Sequence, residues 1–152
     1  MRVTFFDFEQ VSANPLHGTT IDSDAGFARL LESHVYRDPF IAELVGEYGY
    51  KLTVGIGRRE GCVQFGPKDG AGPYLMAVNR RHGPIDDDRG RWRAIQKDMA
   101  DGIPENRLSF VCGGTLKPIP TRYGLPSQVF TNVITFFVET GMRSPSVNWE
   151  QI

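Results

Sequence analysis

Three consecutive aspartates, Asp86, Asp87 and Asp88, form the densest group of side chains in this sequence that could bind an ion. Carboxylate oxygens are the ligands that magnesium and calcium prefer in proteins. A calcium loop, however, alternates its acidic positions around a central glycine and ends on a distant glutamate, and that pattern is missing here. A solvated acidic loop is therefore the favoured interpretation, and a metal site is the alternative.

The two cysteines, Cys62 and Cys112, are the candidates for nucleophilic chemistry. A thiol nucleophile needs a neighbouring base, and nothing in the sequence brings a histidine beside Cys112. Neither cysteine belongs to a CxxC pair or has a histidine at zinc spacing. Because each lies in a predicted strand, both are interpreted as buried, small apolar side chains. A small enzyme or ligand-binding domain that uses Cys112 or the aspartate run remains the alternative function.

Two glycine pairs are candidates for phosphate-binding loops. Gly55 and Gly57 lack a third glycine at dinucleotide-binding spacing, and no helix is predicted after them. Gly113 and Gly114 lack the lysine and Ser/Thr of a phosphate loop. The sequence therefore predicts a turn at the first pair and no cofactor at either pair.

The hydrophobic pattern that must position these residues is that of an α+β domain. Short apolar or alternating runs joined by brief, glycine-containing turns predict antiparallel strands. A first amphipathic helix has apolar residues at Phe27, Leu30 and Leu31, with His34 as a core histidine and N-cap candidates at 22–24. We expect an antiparallel β-meander of about five or six strands with two main helices packed on one face. The predicted strands are 3–8, 40–45, 50–56, 62–65, 74–79 and 108–112, and an extended arm follows from 113 to 120.

The second helix is the clearest single element of the chain. Its apolar side chains cover more than half of the helical circumference, which suits a helix that lies across a sheet. Ser127 is a candidate N-cap after Pro126, and Gly141 stands where a left-handed residue would end the helix. The apolar residues are Val129, Phe130, Val133, Ile134, Phe136, Phe137 and Val138.

Length and composition limit the classes of protein to which the chain can belong. Its 152 residues fit one domain, and fractions of 40% hydrophobic and 23% charged residues are near the globular average. The formal net charge of -1 provides no basic surface for nucleic acid. No segment approaches the roughly 20 apolar residues of a membrane span, and no signal peptide is apparent. The sequence therefore predicts a cytoplasmic protein that binds neither nucleic acid nor membrane directly.

The segment 136–150, which reads F-F-V-E-T-G-M-R-S-P-S-V-N-W-E, resembles the C-terminal signature of the first-numbered immunity-protein family of bacterial polymorphic toxin systems. In that family a helix ends in Thr-Gly, and an Arg-Pro pair and then Val-x-Trp-Glu follow. This chain departs from the pattern at Ser144, which separates Arg143 from Pro145. Segments 52–57, 61–65 and 74–78 also resemble the family's meander. The matching signature residues are Thr140, Gly141, Arg143, Val147, Trp149 and Glu150.

The resemblance implies an immunity protein, not an enzyme, that blocks the active site of a cognate toxin, and several partner toxins of this family resemble nucleic-acid deaminases. The polar stretch from Arg80 to Arg107 is much longer than the usual connection of about 4 to 6 residues, and long loops often carry function. We expect this stretch to provide the partner-binding surface, because acidic side chains suit a cleft that handles nucleic acid and Trp and Arg are common interface anchors. Trp149 is instead expected to pack back onto the sheet edge. The predicted partner-binding residues are Asp86, Asp87, Asp88, Arg91 and Trp92.

Overall fold

The computed structural model describes residues 3–7, 18–33, 39–57, 60–70, 72–79, 107–112 and 115–152. Within these ranges the chain forms an α+β domain with a 10-stranded, largely antiparallel sheet and two α-helices. The predicted fold class is therefore confirmed. The elements are β1 (Val3–Asp7), β2 (Thr20–Ile21), α1 (Asp24–Ser33), β3 (Phe40–Gly46), β4 (Lys51–Ile56), β5 (Glu60–Gly66), β6 (Leu75–Val78), β7 (Arg107–Cys112), β8 (Thr115–Pro120), a 3-10 helix (Thr121–Tyr123), β9 (Leu125–Pro126), α2 (Ser127–Thr140) and β10 (Asn148–Gln151).

The main path of the sheet has the order β10-β6-β5-β4-β3-β1-β2, and each pair along it is antiparallel. Strands β3 to β6 form the predicted meander, because their short connections permit only hairpins. β1 extends the meander on one side and the C-terminal β10 on the other. Among the described residues β7 is parallel to β3, with Phe40 opposite Val111, and β7 pairs along its length with β8.

The sheet has more strands than the predicted five or six, and each additional strand has a physical explanation. β2 and β9 contain two residues each, too few for a periodic pattern. The arm after Gly114 is strand β8, although it contains Pro118 and Pro120. Proline is tolerated there because β8, among the described strands, pairs with β7 alone and so lies at an edge of the described sheet. β10 lies within the C-terminal tail, for which the sequence predicts no regular strand pattern.

The main hydrophobic core lies between one face of the sheet and both helices, as predicted. Alternate residues of the strands point to this face, for example Leu52, Val54 and Ile56 of β4, all buried. The ring of Phe27 in α1 lies 6.4 Å from that of Phe130 in α2, so the helices meet above the sheet. The other α2 residues buried in this core are Val133, Ile134, Phe137 and Val138.

The structure confirms the predicted caps at two of three helix ends. Ser23 caps α1, where its Oγ accepts a hydrogen bond from the Gly26 N–H at 3.1 Å. Gly141 ends α2 in the left-handed conformation, with φ 71°, and its N–H donates to the Phe137 carbonyl. The prediction that Ser127 is the N-cap is wrong, because the extended Pro126 occupies that position without a side-chain cap and Ser127 is the first helical residue. His34 lies outside the described residues.

The second face of the sheet carries no α-helix within the described ranges. β7, β8 and the 3-10 helix are together called the strap below, and two of its residues, Ile119 and Tyr123, pack on part of this face. Beneath the strap lies a small satellite cluster of three buried residues, Ile41, Cys62 and Met76, against which Ile119 and Tyr123 of the strap pack. Neither described helix has the length and apolar content needed to cross a membrane.

Candidate functional site

The five residues predicted to contact a partner, from Asp86 to Trp92, lie outside the described residues. The strands on either side of their segment are described: β6 ends at Val78 and β7 begins at Arg107. Phe40 pairs with β4 on one side and with β7 on the other, so β5, β4 and β3 lie between β6 and β7.

The signature residues at the end of α2 form a capped turn. The Thr140 hydroxyl donates to the Phe136 carbonyl at 2.7 Å and accepts the Met142 N–H at 3.1 Å. Gly141 follows in the left-handed conformation that its lack of a side chain favours. Arg143 is exposed. The Thr-Gly pair therefore terminates the helix and turns the chain back towards the sheet.

Ser144, the residue at which the chain departs from the family pattern, joins this turn to β10. It is 3% exposed, and its hydroxyl lies 2.7 Å from that of Ser146. Its carbonyl accepts a hydrogen bond from the indole Nε1–H of Trp149 at 2.7 Å. The additional residue is thus accommodated as a buried polar link in the turn.

Trp149 packs back onto the sheet edge, as predicted. It lies in β10 opposite Ala77 of β6, and its ring meets that of Phe65 edge to face at 6.0 Å. It is partly buried against the main core, and Val147 beside it is fully part of that core. Aromatic pairs in this geometry stabilise by about 0.5–1.5 kcal/mol beyond their buried area. Trp149 is therefore a scaffold residue.

Glu150 points to the opposite face of β10 and forms a buried ion pair. One carboxylate oxygen accepts from Arg122 Nε at 3.0 Å, and the other accepts from the Tyr123 hydroxyl at 3.1 Å. Arg122 and Glu150 are 9% and 8% exposed, respectively. Charge-assisted hydrogen bonds of this kind are the strong ones, and they matter most when both partners are removed from water. We call these three residues the clasp, because they tie the C-terminal strand to the strap.

Sequence reasoning missed the clasp. In the sequence Glu150 stands out only as a signature residue, and no local pattern marks Arg122 or Tyr123. The partners lie 28 and 27 positions from Glu150, so no local periodicity links them. Both carboxylate oxygens of Glu150 accept hydrogen bonds from the strap, so this carboxylate joins β10 to the strap. No group of three or more His, Cys, Asp or Glu residues suited to a metal ion occurs among the described residues.

Cys62 is the buried, inert thiol that the sequence predicts. It lies in β5 within the satellite cluster and is 5% exposed. Burial raises its pKa to about 12, against a smaller lowering effect of a hydrogen bond with the Gly55 backbone. Since the thiolate is the reactive form, this thiol is a poor nucleophile in the folded protein. Cys112 lies in β7, a strand as predicted.

The predicted turn at the first glycine pair is wrong for Gly55. Gly55 belongs to β4 and pairs with Ile41 on one side and Cys62 on the other. The strand continues because apolar neighbours on both sides favour sheet pairing over the local turn preference of glycine. Gly57 follows the end of the strand, and the second pair, Gly113 and Gly114, lies outside the described residues.

No protein-family model, curated protein or solved structure matches this chain.

Proposed function

We propose that this chain is an immunity protein that binds and neutralises a cognate polymorphic toxin, with a nucleic-acid deaminase as the expected class of toxin. The observation that carries the proposal is the signature from Thr140 to Glu150, read together with the roles of its residues. Gly141 ends the helix, Trp149 packs on the core and Glu150 closes the clasp. The signature thus describes a scaffold, and a scaffold leaves the partner surface to another part of the chain.

Inhibition by a binding protein needs a rigid body and one complementary surface of about 800 Å² per partner. The helix-covered sheet supplies a body with a continuous core. We assign the surface to the polar segment 80–107, in which Asp86, Asp87 and Asp88 would complement the basic cleft of an enzyme that acts on nucleic acid. Trp92 would serve as the apolar anchor, and Arg91 would pair with an acidic group of the toxin. The complex would form in the cytoplasm of the bacterium that makes the toxin.

The proposed mechanism is occlusion of the active site of the toxin. A carboxylate cluster placed in a basic cleft competes with the phosphate groups of the substrate for the same cations. The immunity protein then needs no catalytic residue and no cofactor of its own. Its specificity would come from the match between one loop and one cleft, and clashes with other clefts would exclude other toxins.

The test is protection of bacterial growth against the toxin domain encoded beside this gene. The variant Asp86→Ser/Asp87→Ser/Asp88→Ser is expected to lose protection by at least tenfold in surviving colonies while its urea unfolding midpoint stays unchanged. A matched variant, Asp22→Ser/Glu47→Ser/Glu139→Ser, removes three exposed acids from the described scaffold and is expected to protect fully. Full protection by the first variant would contradict the assignment of the surface.

The alternative function is tested with Cys112→Ser in the same growth assay. A binding protein does not use this thiol for chemistry, so we expect protection equal to that of the natural chain. Loss of protection by a variant that folds with an unchanged unfolding midpoint would favour the enzyme hypothesis.

A further inference from the structure

We draw no further inference here: the strongest candidate, the exposed apolar side chains of Tyr48, Tyr74 and Ile152 at the end of the sheet where β3 and β5 end and β4 and β6 begin, carries no proposal because nothing in the structure shows what covers them.

Discussion

Gly61 lies where β5 passes beneath α2, and its missing side chain lets the Phe130 ring rest against the strand. A Cβ built at Gly61 would lie 2.6 Å from Cε2 of that ring, closer than real Cβ atoms approach other heavy atoms. The ring is itself packed against Phe27 and cannot move freely. Glycine at this position is therefore required by close packing and not by backbone conformation.

Gly61→Ala is expected to lower the free energy of unfolding by about 2 kcal/mol, because the added methyl group forces a shift in a packed core. The control is Gly26→Ala in α1, where a Cβ would lie 3.4 Å from the nearest atom and alanine favours the helix. That variant is expected to be neutral or more stable by up to about 1 kcal/mol. Urea denaturation followed by far-UV circular dichroism measures both, and equal effects would contradict this packing account.

The pKa of Cys62 predicts a pH dependence of stability. Burial raises the pKa from 9.0 to about 12 in the folded protein, so between these values the unfolded chain binds fewer protons than the folded chain. The stabilisation is therefore complete below pH 9 and is lost as the pH rises, by up to about 1.4 kcal/mol per pH unit. Cys62→Ala should show a shallower decline between pH 9 and 11 in urea denaturation. Parallel declines for both chains would contradict the burial of this thiol.

At the scale of elements, the clasp predicts that replacing Glu150 lowers the free energy of unfolding more than replacing Glu43 does. Glu150→Ala removes the carboxylate of a buried ion pair with Arg122 and is expected to cost about 3 kcal/mol. Glu43 pairs with Lys51 at 3.9 Å, and the lysine side chain is 48% exposed, so water and salt screen the interaction. Glu43→Ala is expected to cost less than about 1 kcal/mol. Thermal unfolding of both variants checks this difference, and similar midpoints would contradict a special role for the clasp.

Local patterns predicted the central elements, and long-range contacts account for what they missed. Strands β3 to β6 and helix α2 followed from periodicity and turn residues because their pairing partners are close in sequence. β8 was predicted as an extended arm because Pro118 and Pro120 mask its pairing with β7. The clasp joins residues 28 positions apart, and nothing in either segment identifies its partner. A two-residue strand such as β9 has no periodicity from which to predict it.

The residues of the candidate site likewise include some that local sequence predicts and some that depend on long-range contacts. The sequence correctly placed Trp149 on the sheet edge and Cys62 in a buried strand, since both predictions rest on the average burial of a residue type. It assigned no role to Arg122, whose burial depends on a partner in another element. Charged residues are buried only when paired, and pairing across the fold is not a local property. The assignment of Asp86, Asp87 and Asp88 to a partner surface stays a prediction.

At the scale of the whole molecule, the two faces of the sheet have different organisation. One face is closed by both helices over a continuous core, and the other is covered in part by the strap. The segment that we assign to partner binding lies in the chain between β6 and β7, the first strand of the strap. The proposed partner surface is thus adjacent in the chain to the strap, while the helix-covered core is the scaffold.

The central claim is that this chain neutralises a toxin by binding it, and the most direct measurement is titration of the purified chain into the purified C-terminal domain encoded by the neighbouring reading frame. Isothermal titration calorimetry should give a one-to-one complex of nanomolar affinity, and the activity of that domain should fall in proportion to complex formed. The Asp86→Ser/Asp87→Ser/Asp88→Ser variant should bind at least tenfold more weakly than the variant lacking Asp22, Glu47 and Glu139. Absence of binding by the natural chain, or binding that leaves the activity intact, would contradict the account.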